Sequence, residues 1–321
     1  MSAGLRAGRT PVRGRVLPRL AVVLLLALAQ VVAQIPPASA HAGGLSPTRA
    51  RGAVVAVTPQ VPGLSVTTIE DGARLRVRND TGMRVEVPAG DGQTVPVTVP
   101  DGGSATWIDA RATTLDRDLG AASRGTWEVP LTVGPTRVTV TGELVAGQPP
   151  RAASWWALAA GIAAVLLVLA RRSPRPHVLL AVSGLLVVAA SVAHVVGATL
   201  AVRSAPLWGT FLDATGIGLL VWPLVVAAAV AALRGRAGGV LGVCAGAGLS
   251  VVFVLPDLTV FHFAVLPVAG PPALERFLVA LVLGAGLATA VAGAGALRVL
   301  AGRAAPSAHP APSPDFTESE S

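Results

Sequence analysis

The side chains that can hold a metal or move a proton near neutral pH are few in this 321-residue chain. There are five histidines, at positions 41, 177, 194, 262 and 309, and one cysteine, Cys244, in an apolar stretch. A lone cysteine rules out disulfides within the chain and thiolate metal clusters. Residues 151–303 hold only three acids, Asp213, Asp257 and Glu275. His194 and Asp213 lie well inside apolar runs, where an ionisable group is costly and usually functional. Imidazole suits copper and zinc, and a carboxylate can complete or orient such a set. His194, His262 and Asp213 therefore form a candidate metal or proton site, although no HxxxH or CxxC spacing supports it. The competing reading is a buried His194–Asp213 contact that fixes helix register, with Asp257 as a cap or interfacial residue. His41 joins the candidates for another reason. Cleavage after Ala40 would make it the first residue, and its α-amine and Nδ1 could then chelate one copper ion.

Positioning these groups falls to two kinds of element. Hydrophobic residues make up 52% of the chain, charged residues only 13%, and the mean hydropathy is +0.66. That balance points to a membrane protein with a water-soluble part. Arg6, Arg9, Arg13, Arg15 and Arg19 precede an apolar run, Leu20 to Ala33, and Ala38-Ser39-Ala40 follows. This is the order of a secretory signal peptide, so residues 1–40 are expected to be removed and residues 41–150 exported. Apolar stretches 153–170, 178–202, 207–233, 238–255 and 277–300 are each long enough to cross a hydrocarbon core. Connections 171–177 and 234–237 and the tail carry seven arginines, against three beside the opposite ends of the spans. The positive-inside rule then puts those arginines and the C-terminus in the cytoplasm, giving five spans over 151–303 and a disordered tail at 304–321. In that frame His194 and Asp213 both lie ~9–12 Å below the outer boundary. Loop 256–276 hangs near the same level and is expected to dip into the interface, carrying His262.

Between Arg51 and Gly142 the chain reads as seven or eight short strands with alternating apolar and polar residues, as in Leu75-Arg76-Val77-Arg78. Glu70-Asp71-Gly72, Asn79-Asp80-Thr81-Gly82, Gly90-Asp91-Gly92 and Asp101-Gly102-Gly103 supply the turns. The expectation is an all-β, two-sheet antiparallel sandwich of the immunoglobulin-like kind, with Trp107 and Trp127 in its core. After His41 this stretch has no histidine or cysteine, so it cannot build a Ser-His-acid triad, and an enzyme is not expected. The formal net charge is +8, but the exported stretch holds ten arginines and eleven acids, which excludes a nucleic-acid binder.

The segment His41-Ala42-Gly43-Gly44-Leu45-Ser46-Pro47-Thr48-Arg49-Ala50 resembles the start of copper-resistance proteins of the CopC type. That resemblance implies a small β-sandwich beginning at a histidine, and CopD-type membrane partners would give His194 and His262 a copper role. This chain departs from the pattern, because its exported stretch has no second histidine to complete a copper site. As a whole the chain resembles actinobacterial membrane proteins with an exported β-domain before a small helical bundle. Pro62-Gly63-Leu64, Leu75-Arg76-Val77-Arg78-Asn79 and Trp127-Glu128-Val129-Pro130-Leu131 carry that likeness, which implies an architecture and no activity. The functional expectation is a multi-pass plasma-membrane protein with a non-catalytic binding or accessory role toward another envelope protein. The alternative is copper handling at the outer face through His41, His194 and His262.

Overall fold

The computed structural model describes residues 42–89, 96–112 and 118–304. The signal segment, His41, the Gly90-Asp91-Gly92 turn and residues 305–321 with His309 lie outside the described residues. Eight strands come first: β1 (Ala50–Thr58), β2 (Leu64–Ile69), β3 (Arg74–Asn79), β4 (Val85–Val87), β5 (Val97–Val99), β6 (Ser104–Trp107), β7 (Arg124–Val133) and β8 (Thr136–Ala146). They form a five-stranded sheet in the order β1-β8-β7-β4-β5 and a three-stranded sheet in the order β2-β3-β6. Every pairing between these strands is antiparallel.

Alternation in the sequence sets which face is buried. Along β7, Trp127, Val129, Leu131 and Val133 are buried while Glu128 and Pro130 between them are exposed. Val66, Leu75, Val77 and Trp107 of the smaller sheet share one core with Val85, Val129, Leu131 and Val140 of the larger. Trp127 lies opposite Gly142 of β8, and a Cβ at Gly142 would come within 2.0 Å of the indole, so only glycine fits beneath it. Asn79, the only asparagine of the chain, is fully buried and donates to the Met83 and Val99 carbonyls, at 2.7 and 3.0 Å. Its buried amide thereby ties the turn after β3 to the end of β5.

Six helices follow: α1 (Ala152–Arg172), α2 (Pro176–Ala201), α3 (Leu207–Thr215), α4 (Gly218–Leu233), α5 (Ala237–Val254) and α6 (Pro272–Ala304). Four helical segments are long and apolar enough to cross a membrane, and α3 with α4 would add a fifth as one broken span. The sequence reads 207–233 as one continuous span; the structure bends it by 65°. The break is at Gly216, whose φ of 48° suits a residue without Cβ.

Small residues hold the bundle together, with one change from expectation. Glycines 238, 242 and 246 recur every four residues, a spacing that lets helix backbones approach, but a Cβ on Gly238 would meet nothing within 4 Å. Gly239 takes its place: a Cβ there would lie 2.3 Å from the Ala232 amide nitrogen of α4, while Gly242 and Gly246 pack against Ala228 and Val225. With 3.6 residues per turn, spacings of three and four keep a row on one face where repeated fours drift. Gly284 of α6 is similarly close to α1, 2.4 Å from the Ala159 carbonyl oxygen for an added Cβ.

The β region is fastened to one end of the bundle. The Glu70 carboxylate accepts from the backbone amides of Arg203 and Ser204 at 2.8 and 2.9 Å, and pairs with Arg74 at 2.7 Å. Arg74 also reaches the Ser204 hydroxyl and the Gly43 carbonyl, and Arg76 donates to the Arg203 carbonyl at 3.1 Å. Thr48 and Val265 form an isolated antiparallel bridge, with N–H···O distances of 2.9 and 3.0 Å. Following the chain through α1 to α6, this is the end opposite Arg171, Arg172, Arg234 and Arg236.

Candidate functional site

After α5 the chain does not leave the bundle. Leu255–Phe261 forms a 3-10 turn that folds back over the helices. Phe261 is fully buried between Trp155, stacked at 6.4 Å, and Trp156, edge-on at 5.4 Å. Arg276, in the first turns of α6, donates to the Val260 and Phe263 carbonyls at 2.9 and 2.8 Å. These contacts satisfy carbonyls that no helix ladder covers and fix the segment in place.

The fixed segment delivers Asp257 to His194. The Nε2 of His194 on α2 lies 3.2 Å from Asp257 Oδ2, and its Nδ1 makes a short contact with Glu275 Oε1 on α6. The three side chains are 14%, 8% and 4% exposed, respectively. An imidazole with both nitrogens facing carboxylate oxygens has two ways to satisfy them. Either the imidazolium donates twice, or a neutral ring donates once and accepts from a protonated carboxyl. The triad can therefore keep or pass a proton with little movement of its heavy atoms.

His194, Asp257 and Glu275 form one wall of a cavity of about 550 Å³. Asp213 on α3, Thr215 and Gly216 at the helix break, and Val221 and Trp222 on α4 form another part of the lining. Ala42, Gly43 and Gly44 of the β region line it too, so the cavity lies at the junction of the two halves. Ala42 and Leu45 pack against Val202, Ala198 and Ala214, which anchors that short segment over α2 and α3.

The structure brings together two of the four candidate ligands. His194 and Asp213 line the same cavity, but His194 bonds Asp257 and Glu275 instead of Asp213. The loop 256–276 does fold inward, yet it carries Asp257 and Phe261; His262 is exposed and is not part of the cavity lining. His41 lies outside the described residues. Among the described residues, no group of three or more His, Cys, Asp or Glu is arranged to hold a metal ion. Sequence reasoning placed Glu275 in a loop and gave it no role. Its signal was scarcity: it is one of three acids in residues 151–303, three residues after Pro272, which starts α6.

The chain matches no protein-family model, no curated protein and no solved structure.

Proposed function

We propose that this is a multi-pass plasma-membrane protein with a non-catalytic binding or accessory role outside the cell. In this reading the signal segment is cleaved after Ala40, the two sheets form an exported sandwich, and the C-terminus is cytoplasmic. The observation that carries it is the fastening of the β region, through Glu70, Arg74 and Thr48, to the bundle end opposite the arginine-rich connections. Positive charge is retained on the cytoplasmic side, so the β region faces outward. Copper handling through His41, His194, His262 and Asp213 has less support, because both ring nitrogens of His194 already face carboxylates and His262 is not among the residues that line the cavity.

Cysteine accessibility tests the orientation. Cys244 is buried and serves as a silent background. In intact cells a membrane-impermeant maleimide should label Ser104→Cys, at the exposed first position of β6, and spare Pro174→Cys between α1 and α2, which should react only after permeabilisation. The reverse pattern would turn the protein over and remove the proposal. Crosslinking from Ser104→Cys should also recover one reproducible envelope partner.

A further inference from the structure

The cavity at the junction has the form of a site for a small molecule. Its volume of about 550 Å³ falls within the range of ligand pockets, roughly 300–1,000 Å³. Most of its lining is apolar, including Val221, Trp222, Phe253 and Val254, and a few polar groups converge on it. Those polar groups are unbalanced in charge. Three carboxylates, Asp213, Asp257 and Glu275, share the lining with one imidazole. Even an imidazolium at His194 leaves the wall two positive charges or protons short of neutrality.

Asp213 is the group with nothing to offset it. Asp257 and Glu275 both hold His194, whereas Asp213 makes no hydrogen bond or ion pair among the described residues. It lies on a helix whose other residues, Leu207-Trp208-Gly209-Thr210-Phe211-Leu212 and Ala214-Thr215, include no charge. An ionised carboxylate within an apolar stretch is costly unless a cation or proton meets it. Trp222 lines the same cavity, and an indole ring attracts organic cations.

We propose that this cavity binds a small amphipathic organic cation, with its ammonium group at Asp213 and its apolar body against Val221, Trp222, Phe253 and Val254. This deepens the binding role proposed above by assigning its ligand class, and it rests on that reading only for the side from which the ligand enters. Ala42, Gly43 and Gly44 are among the lining residues, so the β region closes part of the cavity. A bare metal ion would satisfy the charge but leave the apolar lining unfilled. A neutral apolar molecule would fill the space and leave Asp213 unpaired.

The experiment uses the full chain in detergent or nanodiscs, where orientation in the cell plays no part. Phenethylammonium is the probe and 2-phenylethanol its neutral counterpart, with binding followed by calorimetry. Saturable binding of the amine is expected, at least tenfold tighter than that of the alcohol, and Asp213→Asn should abolish the difference. Asp213 is exposed, so this variant is expected to fold, and its thermal unfolding checks that. The amine–alcohol comparison on the unaltered protein stands even if it does not. No saturable binding, equal affinity for amine and alcohol, or undiminished amine binding by folded Asp213→Asn would each overturn the proposal. Because the protein is solubilised, such a failure is separate from a failure of the cysteine-labelling test.

Discussion

Asp109 shows how one side chain links local geometry to solution behaviour. It is fully buried after β6, and its two oxygens accept from the Trp107 indole at 3.1 Å, the Arg111 amide at 3.1 Å and the Arg111 guanidinium at 2.7 and 2.8 Å. Burial by itself would raise its pKa; the bonds from Arg111 and Trp107 outweigh it and hold the carboxyl below its ordinary value of 3.8. A depressed folded value means that the unfolded chain takes up the proton first. The stabilisation is therefore fully present above the ordinary aspartate range and fades as pH falls through and below it. Amide exchange along β6 and β7 should be slow and pH-independent in its opening free energy near neutrality, and faster opening should set in below about pH 4. Asp109→Asn should cost about 2–3 kcal/mol at neutral pH and remove most of this acid dependence. An unchanged acid response in that variant would assign the effect to other carboxylates. Of this network, Trp107 was legible in the sequence as a core residue, whereas the pairing of Asp109 with Arg111 was not. Likewise His194 was visible as a costly group at a known depth, but its partners were not. Depth along a helix follows from counting residues, whereas the side that a ring faces depends on how α2, α6 and the 255–261 turn pack, which no local pattern encodes.

At the scale of elements, the periodic features were legible and the irregular ones were not. The seven or eight strands expected between Arg51 and Gly142 appear as β1 to β8, because alternation and glycine turns are local properties. The apolar stretches match the helices for the same reason. The break at Gly216 was missed since glycine is common throughout this membrane half, and one positive φ among many glycines leaves no mark in composition. In α5 the repeat of four at 238, 242 and 246 holds at Gly242 and Gly246 but gives way to Gly239 at its start, because the contact row follows the helix pitch. This gives a sharp comparison. Gly239→Leu puts a side chain into the α4 backbone and should lower the melting temperature of the detergent-solubilised protein, through overpacking of about 3 kcal/mol or more. Gly238→Leu, one residue away and facing open space, should change it little. Equal effects of the two would mean that α4 and α5 pack through a different face.

For the whole molecule, the question is why the β region sits where it does, and Glu70 carries most of the answer. Glu70 and Asp71 both adopt left-handed backbone angles, with φ of 56° and 55°, a conformation that costs a non-glycine residue about 1–2 kcal/mol. Such a turn persists where its surroundings hold it. Here the fully buried carboxylate joins Arg74 to the free amides of Arg203 and Ser204, at the turn between α2 and α3. The same turn leads into α3 and hence to Asp213 in the cavity. Charge-assisted bonds of this kind contribute about 1.5–3 kcal/mol each, more than the backbone cost they offset. Glu70→Gly should therefore relieve the strained angle yet release the β region from the bundle. Hydrogen exchange should rise at residues 202–206 and at Ala42–Gly44, while β7 and β8, whose core is independent of the contact, stay protected. If exchange at 202–206 is unaltered, the Thr48–Val265 bridge and Arg76 hold the two halves together without it. If β7 and β8 lose protection as well, the two sheets and the bundle unfold as one unit, and the cavity rim cannot open without unfolding the rest.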